Sequence, residues 1–209
     1  SEKAWRKGGS KMFVEVNKRV KVEDLLRGVI IQSGNDATIV LAEGISGSED
    51  AFAKRLNEKA AELEMNNSNF KNASGWPDPD HYSTAKDLGK LATALIKNHP
   101  EYYKFYGEKE FSYNDIAQQN RNPLLYQNTG ADGIKTGHTE AGGLGLIGSG
   151  NKDDRRVIIV INGLESSAAR AQESKKLLQW GLNGFKNETL VTAGTIVGKA
   201  DILLGKTDN

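Results

Sequence analysis

The chain contains no cysteine. Disulfide staples, thiolate metal sites and a cysteine nucleophile are therefore excluded together, and the redox compartment is left open. Histidine is nearly as scarce. His81, His99 and His138 do not pair at i, i+4 spacing, and no carboxylate pattern frames them as metal ligands. Neither sign of charge predominates. There are 28 basic and 27 acidic residues among 209, a formal net charge of +1. That balance lacks the electrostatic footprint of a nucleic-acid binder. Long apolar runs are missing too: Val157–Ile161 is the longest, far short of the ~20 residues that span a bilayer. What is present is 37% hydrophobic and 26% charged residues, enough for a packed core.

Periodicity divides the chain. Segments 22–32, 35–45, 49–64 and 84–98 read as helices. Asn35 or Asp36 is expected as the N-cap of the second and Ser83 as that of the fourth. Phe52, Leu56, Ala60 and Leu63 form the stripe of the third. A loop rich in Gly, Pro and Asp, 72–80, separates the third and fourth helices. Past residue 110 the period changes. Glu110–Tyr113 reads as a strand, 118–123 as a turn region, and 133–136, 143–149 and 155–162 as further strands. Residues 150–154 form a hairpin turn signal. Segment 167–185 closes as a helix. The expectation is an α+β fold, with a helical lobe beside an antiparallel sheet covered by helices. Residues 190–192 and 202–204 read as short strands, the opening of a second, incomplete β domain or a strap on the first. Domain bounds of 1–187 and 188–209 follow. The opening residues, without Met or an apolar signal core, read as the start of a processed or trimmed chain.

Two short motifs point to chemistry. Ser33-Gly34-Asn35 lies at the junction of two helices, where ordinary capping also fits. Lys135-Thr136-Gly137 lies at a strand end, where a glycine lets a ligand backbone approach and where a polar turn also fits. Asp78, Asp80 and His81 lack the matched spacing of a metal loop, and the prolines around them suggest a rigid turn. No metal or cofactor is expected.

Together and in this order, the two motifs match the second and third motifs of the serine penicillin-recognising enzymes. The stretches 26–37, 82–87, Asn120-Arg121-Asn122, 132–139 and 173–178 resemble the D-alanyl-D-alanine carboxypeptidases, low-molecular-mass penicillin-binding proteins of peptidase family S11. The resemblance extends from residue 1 to about 187 and implies a β-lactamase/transpeptidase-like fold. It also implies acyl transfer on a peptide ending in D-Ala-D-Ala, and acylation by β-lactams.

The roles implied by the resemblance are specific. Ser33 relays a proton toward the leaving amine, and Asn35 holds the substrate amide. Lys135 places positive charge near Ser33 and the substrate carboxylate. Thr136 offers a hydroxyl to that carboxylate, and Gly137 keeps the strand edge clear for an added strand. The backbone N–H of His138 is an oxyanion donor, and Arg170 helps bind the carboxylate, although a solvated helix charge fits it equally. The family's Ser-x-x-Lys nucleophile motif is expected upstream of Ser1, because Ser68-x-x-Lys71 and Ser83-x-x-Lys86 follow Ser33 instead of preceding it. The missing N-terminal segment is then an expected partner, beside the peptidoglycan stem peptide and β-lactams. A membrane contact is expected only through a C-terminal anchor outside this chain. The implied location is extracytoplasmic, peripheral to the inner membrane. A non-catalytic muropeptide-binding module and a β-lactamase relative are the alternatives, although no Glu stands in the context of a deacylating base.

Overall fold

Apolar spacing builds the first lobe of the structure, a computed structural model that describes residues 1–200. After a short α1 (Glu2–Arg6), the segment through residue 14 runs without regular structure to α2 (Val22–Ile30) and α3 (Asn35–Ser46). Met12, Val14, Leu25 and Ala37 are buried together, with Val29, Val40 and Leu41 against them. Helix α4 (Glu49–Glu62) starts at Ser48, whose Oγ accepts the Ala51 N–H at 3.1 Å. Its acidic first turn suits the positive end of the helix dipole. Helix α5 (Ala85–Asn98) follows the long loop, and α6 (Pro100–Tyr103) runs into a 3-10 turn at Lys104–Gly107.

The second part is built on strands. β1 (Glu110–Tyr113) and β2 (Ile116–Gln119) form a hairpin. A 3-10 turn at Pro123–Tyr126 precedes β3 (Ala131–Thr139), β4 (Gly143–Lys152) and β5 (Arg155–Leu164), an antiparallel sheet in the order β3-β4-β5. Alternation splits its side chains between two faces. Leu146 and Ile159 pack with Leu124 and with Leu178 and Leu182 of α7 (Ser167–Asn183). Their neighbours Ile147 and Ile158, with Ile134, face Ala92 and Leu95 of α5. Helices therefore cover both faces. β3 lies at the sheet margin, hydrogen-bonded to β4 alone.

Several expectations need correction. The N-cap of α5 is Thr84, whose Oγ1 accepts the Asp87 N–H at 3.2 Å; Ser83 instead bonds Ser68. Gly34 occupies the N-cap position of α3 without a side-chain cap, because Asn35 and Asp36 are engaged elsewhere. Strand β2 lies partly where a turn was expected. Asn114 and Asp115 both take positive φ and make a two-residue turn that brings the chain back on β1. β3 runs three residues past Thr136, since Gly137, His138 and Thr139 keep pairing with Gly145, Leu144 and Gly143. The tail differs as well. Residues 184–200 form neither helix nor strand. Leu190 is 90% exposed, and among the described residues no strand pairs with it. The expected strand at 202–204 lies outside the described residues.

Leu178 anchors α7 to the sheet and is fully buried. Leu178→Ala is expected to destabilise the fold by about 2–5 kcal/mol, read as a lower urea midpoint of the full-length protein.

Candidate active site

Helix α2 ends by turning its chain back, with the Gly34 N–H donating to the Gly28 carbonyl at 3.0 Å. Ser33 sits in that bend with φ of +57°. Left-handed backbone usually goes to glycine; a serine there costs about 1–2 kcal/mol. The bend aims Ser33 at the sheet. The Lys135 ammonium of β3 donates to Ser33 Oγ at 2.9 Å and to its neighbour's carbonyl, Thr136 O, at 3.0 Å. The two expected motifs therefore meet across 102 positions of sequence.

Lys135 is held in an unusual state. Burial lowers its pKa to about 8, and Arg121 and Arg170 push it in the same direction. Arg170, in the first turn of α7, has its own pKa lowered by burial and then by Arg121. Its Nε is buried without a partner. Among the described residues, no carboxylate lies in ion-pair contact with Arg121, Lys135 or Arg170. Three cations converging without a counter-charge form a place prepared for an anion.

Arg121 carries no expected role in the sequence reading. Its flanks explain its position. Asn120 and Asn122 are buried. Asn120 Nδ2 donates to Glu108 O at 2.9 Å and its Oδ1 accepts the Asn122 N–H at 3.0 Å. Asn122 Oδ1 accepts the Leu124 N–H at 3.1 Å. Two inward amides fix the backbone, and the arginine between them is left exposed, donating to Ser10 Oγ at 2.6 Å. The Asn-Arg-Asn pattern is the one sequence signal that points to it.

The segment 8–14 is a strap over the α2–α3 junction. Asn35 Nδ2 donates to Gly8 O at 2.8 Å, and the Asn35 N–H to Ser10 O at 2.8 Å. Asp36 is buried and accepts the N–H groups of Met12, Phe13 and Val14 at 2.8, 2.8 and 3.0 Å. A carboxylate taking several backbone donors is a strong charge-assisted clamp. Its engagement with the strap explains why it caps no helix.

The remaining expected residues lie along β3. Thr136 is half-buried, and Gly137 and His138 are exposed. A Cβ at Gly137 would meet no atom within 4 Å, so the strand margin is open there. Ser68 and Ser83 stand apart from this cluster. Their hydroxyls lie 2.7 Å from each other, and Ser68 donates to Asp87 Oδ2 at 2.8 Å. In the loop before α5, Asp78 Oδ1 accepts the Asp80 N–H at 2.9 Å and His81 Nδ1 accepts the Lys71 N–H at 3.2 Å. Those bonds shape a turn.

Residues 1–166 match the family model of peptidase S11, D-alanyl-D-alanine carboxypeptidase. The chain belongs to that family. It is 41% identical over 209 residues to D-alanyl-D-alanine carboxypeptidase DacA of Haemophilus influenzae, covering 98% of this chain and 53% of that protein. The crystal structure of carboxypeptidase DacD from Francisella tularensis superposes with a TM-score of 0.88 at 36% identity, covering 93% of this chain and 60% of the other. Penicillin-binding protein D2 of Listeria monocytogenes, solved in its ampicillin-bound form, gives a TM-score of 0.76 at 29% identity, covering 84% of this chain and 74% of the other. The S11 chain spans about half the length of the H. influenzae relative, and its helices and antiparallel sheet share the transpeptidase-like arrangement of the solved structures.

Asp36→Asn exchanges an acceptor oxygen for a donor amide facing backbone N–H groups. The variant is expected to lose about 2–3 kcal/mol of stability, measured by chemical denaturation of the full-length protein. An unchanged midpoint would contradict the clamp.

Proposed function

We propose that this chain supplies the substrate-binding and proton-relay part of a serine D-Ala-D-Ala carboxypeptidase site. The observation that carries the reading is the Lys135–Ser33 contact with two arginines beside it that, among the described residues, have no carboxylate partner. A peptide ending in a free carboxylate brings the missing negative charge. Arg121, Lys135 and Arg170 receive it, and Thr136 adds a hydroxyl. The peptide lies along the margin of β3 as an added strand, over Gly137. Asn35 holds its amide, and the His138 N–H helps stabilise the oxyanion.

The acylated serine belongs, on this reading, to the part of the longer protein outside this chain. Its hydroxyl attacks the carbonyl between the two D-alanines, the terminal D-Ala leaves with a proton, and water then frees the acyl group. Ser33 is arranged to deliver that proton. The ammonium of Lys135 occupies a lone pair of Ser33 Oγ, so the hydroxyl keeps its own hydrogen to donate to the leaving amine. Likeness to the ampicillin-bound Listeria protein supports acylation by β-lactams at the same place. Residues 1–187 form the carboxypeptidase domain and 188–209 the approach to a further β domain. The protein works at peptidoglycan, outside the cytoplasm.

Intact mass after incubation with a penicillin tests this. The full-length protein is expected to gain one stable adduct, and the 209-residue chain none. An adduct on the chain would place the nucleophile within it. Ser33→Ala in the full-length protein is expected to lower D-Ala release by about 100-fold or more, the scale of a lost proton relay.

The pH profile gives a second test. With its pKa lowered to about 8, Lys135 is charged below that pH and loses its charge as pH rises through it. D-Ala release per KM should therefore fall above about pH 8. Lys135→Arg, charged throughout, should remove that limb. A parent profile without an alkaline limb would contradict the assigned role.

A further inference from the structure

Strand β3 does not pair evenly with β4. Ala131 pairs with Gly150 and Gly133 with Ser149, so Asp132 is one residue more than β4 matches. Such a bulge sets the register of everything after it. Lys135 stands three positions on, opposite Ile147. A slip of one residue there would turn a different side chain toward Ser33.

The extra residue is clamped from several sides. Arg156 of β5 reaches across β4 and takes the Asp132 carboxylate in a fork. Its Nη1 donates to Asp132 Oδ1 at 2.9 Å, and its Nη2 lies 2.8 Å from Oδ2. Nη1 also donates to Ser149 Oγ of β4 at 2.7 Å, and Ser149 is fully buried. The Tyr103 hydroxyl of α6 donates to Asp132 Oδ1 at 2.8 Å. The phenol rests on the strand itself: a Cβ at Gly133 would stand 2.7 Å from the Tyr103 oxygen. In the 3-10 turn after α6, a Cβ at Gly107 would stand 3.2 Å from the Asp132 carbonyl oxygen. Tyr103 is held in turn by stacking on Tyr106, with ring centroids 5.7 Å apart.

The surroundings are apolar. Ala92, Ile134, Ile147 and Ile158 pack about Tyr103. Further hydrocarbon there would hold the sheet together at least as well as an ion pair does. A forked guanidinium–carboxylate pair adds direction, since both bonds form in one geometry only.

We propose that Asp132, Arg156 and Tyr103 are positioning residues for the reaction: they lock β3 at its bulge and so set where the Lys135 ammonium meets Ser33. The inference rests on the reading given under Proposed function and extends it to residues that touch no substrate. The clamp acts through the strand. The charged groups that act on Lys135 itself are Arg121 and Arg170.

The test measures D-Ala release by the full-length protein across pH. Tyr103→Phe removes one hydroxyl and keeps the ring. Burial raises the Tyr103 pKa, so the phenol is neutral across the range and the exchange removes no charge. A displaced Lys135 is better solvated, and its pKa rises. Tyr103→Phe is expected to lower kcat about three- to tenfold and to move the alkaline limb upward from about pH 8. Arg156→Met is expected to lower kcat about 10- to 100-fold, the scale of a small misplacement of a reacting group, with a larger shift of the limb. Arg156→Lys restores one bond to the carboxylate and should recover part of both. Met65→Ala, at a buried position in the turn after α4, serves as the control: it lowers stability and is expected to leave kcat and the limb in place. Should Arg156→Met not fold, Tyr103→Phe decides alone. Parental kcat and limb in Tyr103→Phe, or an equal shift in Met65→Ala, overturns the clamp. A parent that releases no D-Ala and takes no penicillin overturns the underlying reading of the site instead.

Discussion

The Lys135 ammonium reaches out of the sheet to the Ser33 hydroxyl at 2.9 Å, and the rest of the site is organised around keeping it there. A desolvated cation is costly without a counter-charge. Here the neighbours make the cost greater: Arg121 and Arg170 are also positive and, among the described residues, also lack carboxylate partners. Two neutral oxygens, Ser33 Oγ and Thr136 O, hold the ammonium. Such a site is electrostatically unfinished. On the proposed reading a substrate carboxylate completes it, so the tension in the free protein becomes affinity for the ligand.

That arrangement needs a rigid frame, and the frame is made largely from backbone. β3 presents Lys135 because β4 and β5 brace it on one side, with α5 and α7 on the two faces of the sheet. Ser33 reaches across only because the chain accepts a left-handed residue at the end of α2. The strap over residues 8–14 then locks the bend. Asp36 holds three of its N–H groups, Asn35 holds its Gly8 carbonyl, and Arg121 holds Ser10. Each grip is polar and directional, which suits a position that must be accurate and not merely buried.

Local pattern made much of the fold legible. Apolar stripes marked α4, α5 and α7, an acidic first turn with apolar faces marked α2, a capping signal marked α3, and residues 150–154 marked the β4–β5 hairpin, whose tip takes positive φ at Asp153 and Asp154. Strand β2 was hidden because its four residues are too short and too exposed to show alternation. Thr84 and Ser83 are equally good caps by chemistry; the Ser68 hydroxyl decided between them. The meeting of Ser33 with Lys135 could not be read from any local period, since it spans 102 positions. It was reached through likeness to a family. Arg121 was passed over because its placement depends on the buried amides beside it, and burial of Asn120 and Asn122 is a property of the fold.

The most direct measurement is the titration of the Lys135 side chain, followed by NMR in the full-length protein labelled at lysine, with Lys135→Arg to assign the signal. A midpoint near 8 is expected, moving upward when D-Ala-D-Ala is added, because a bound carboxylate favours the charged amine. An ordinary lysine midpoint near ~10.4, indifferent to the dipeptide, would contradict the account.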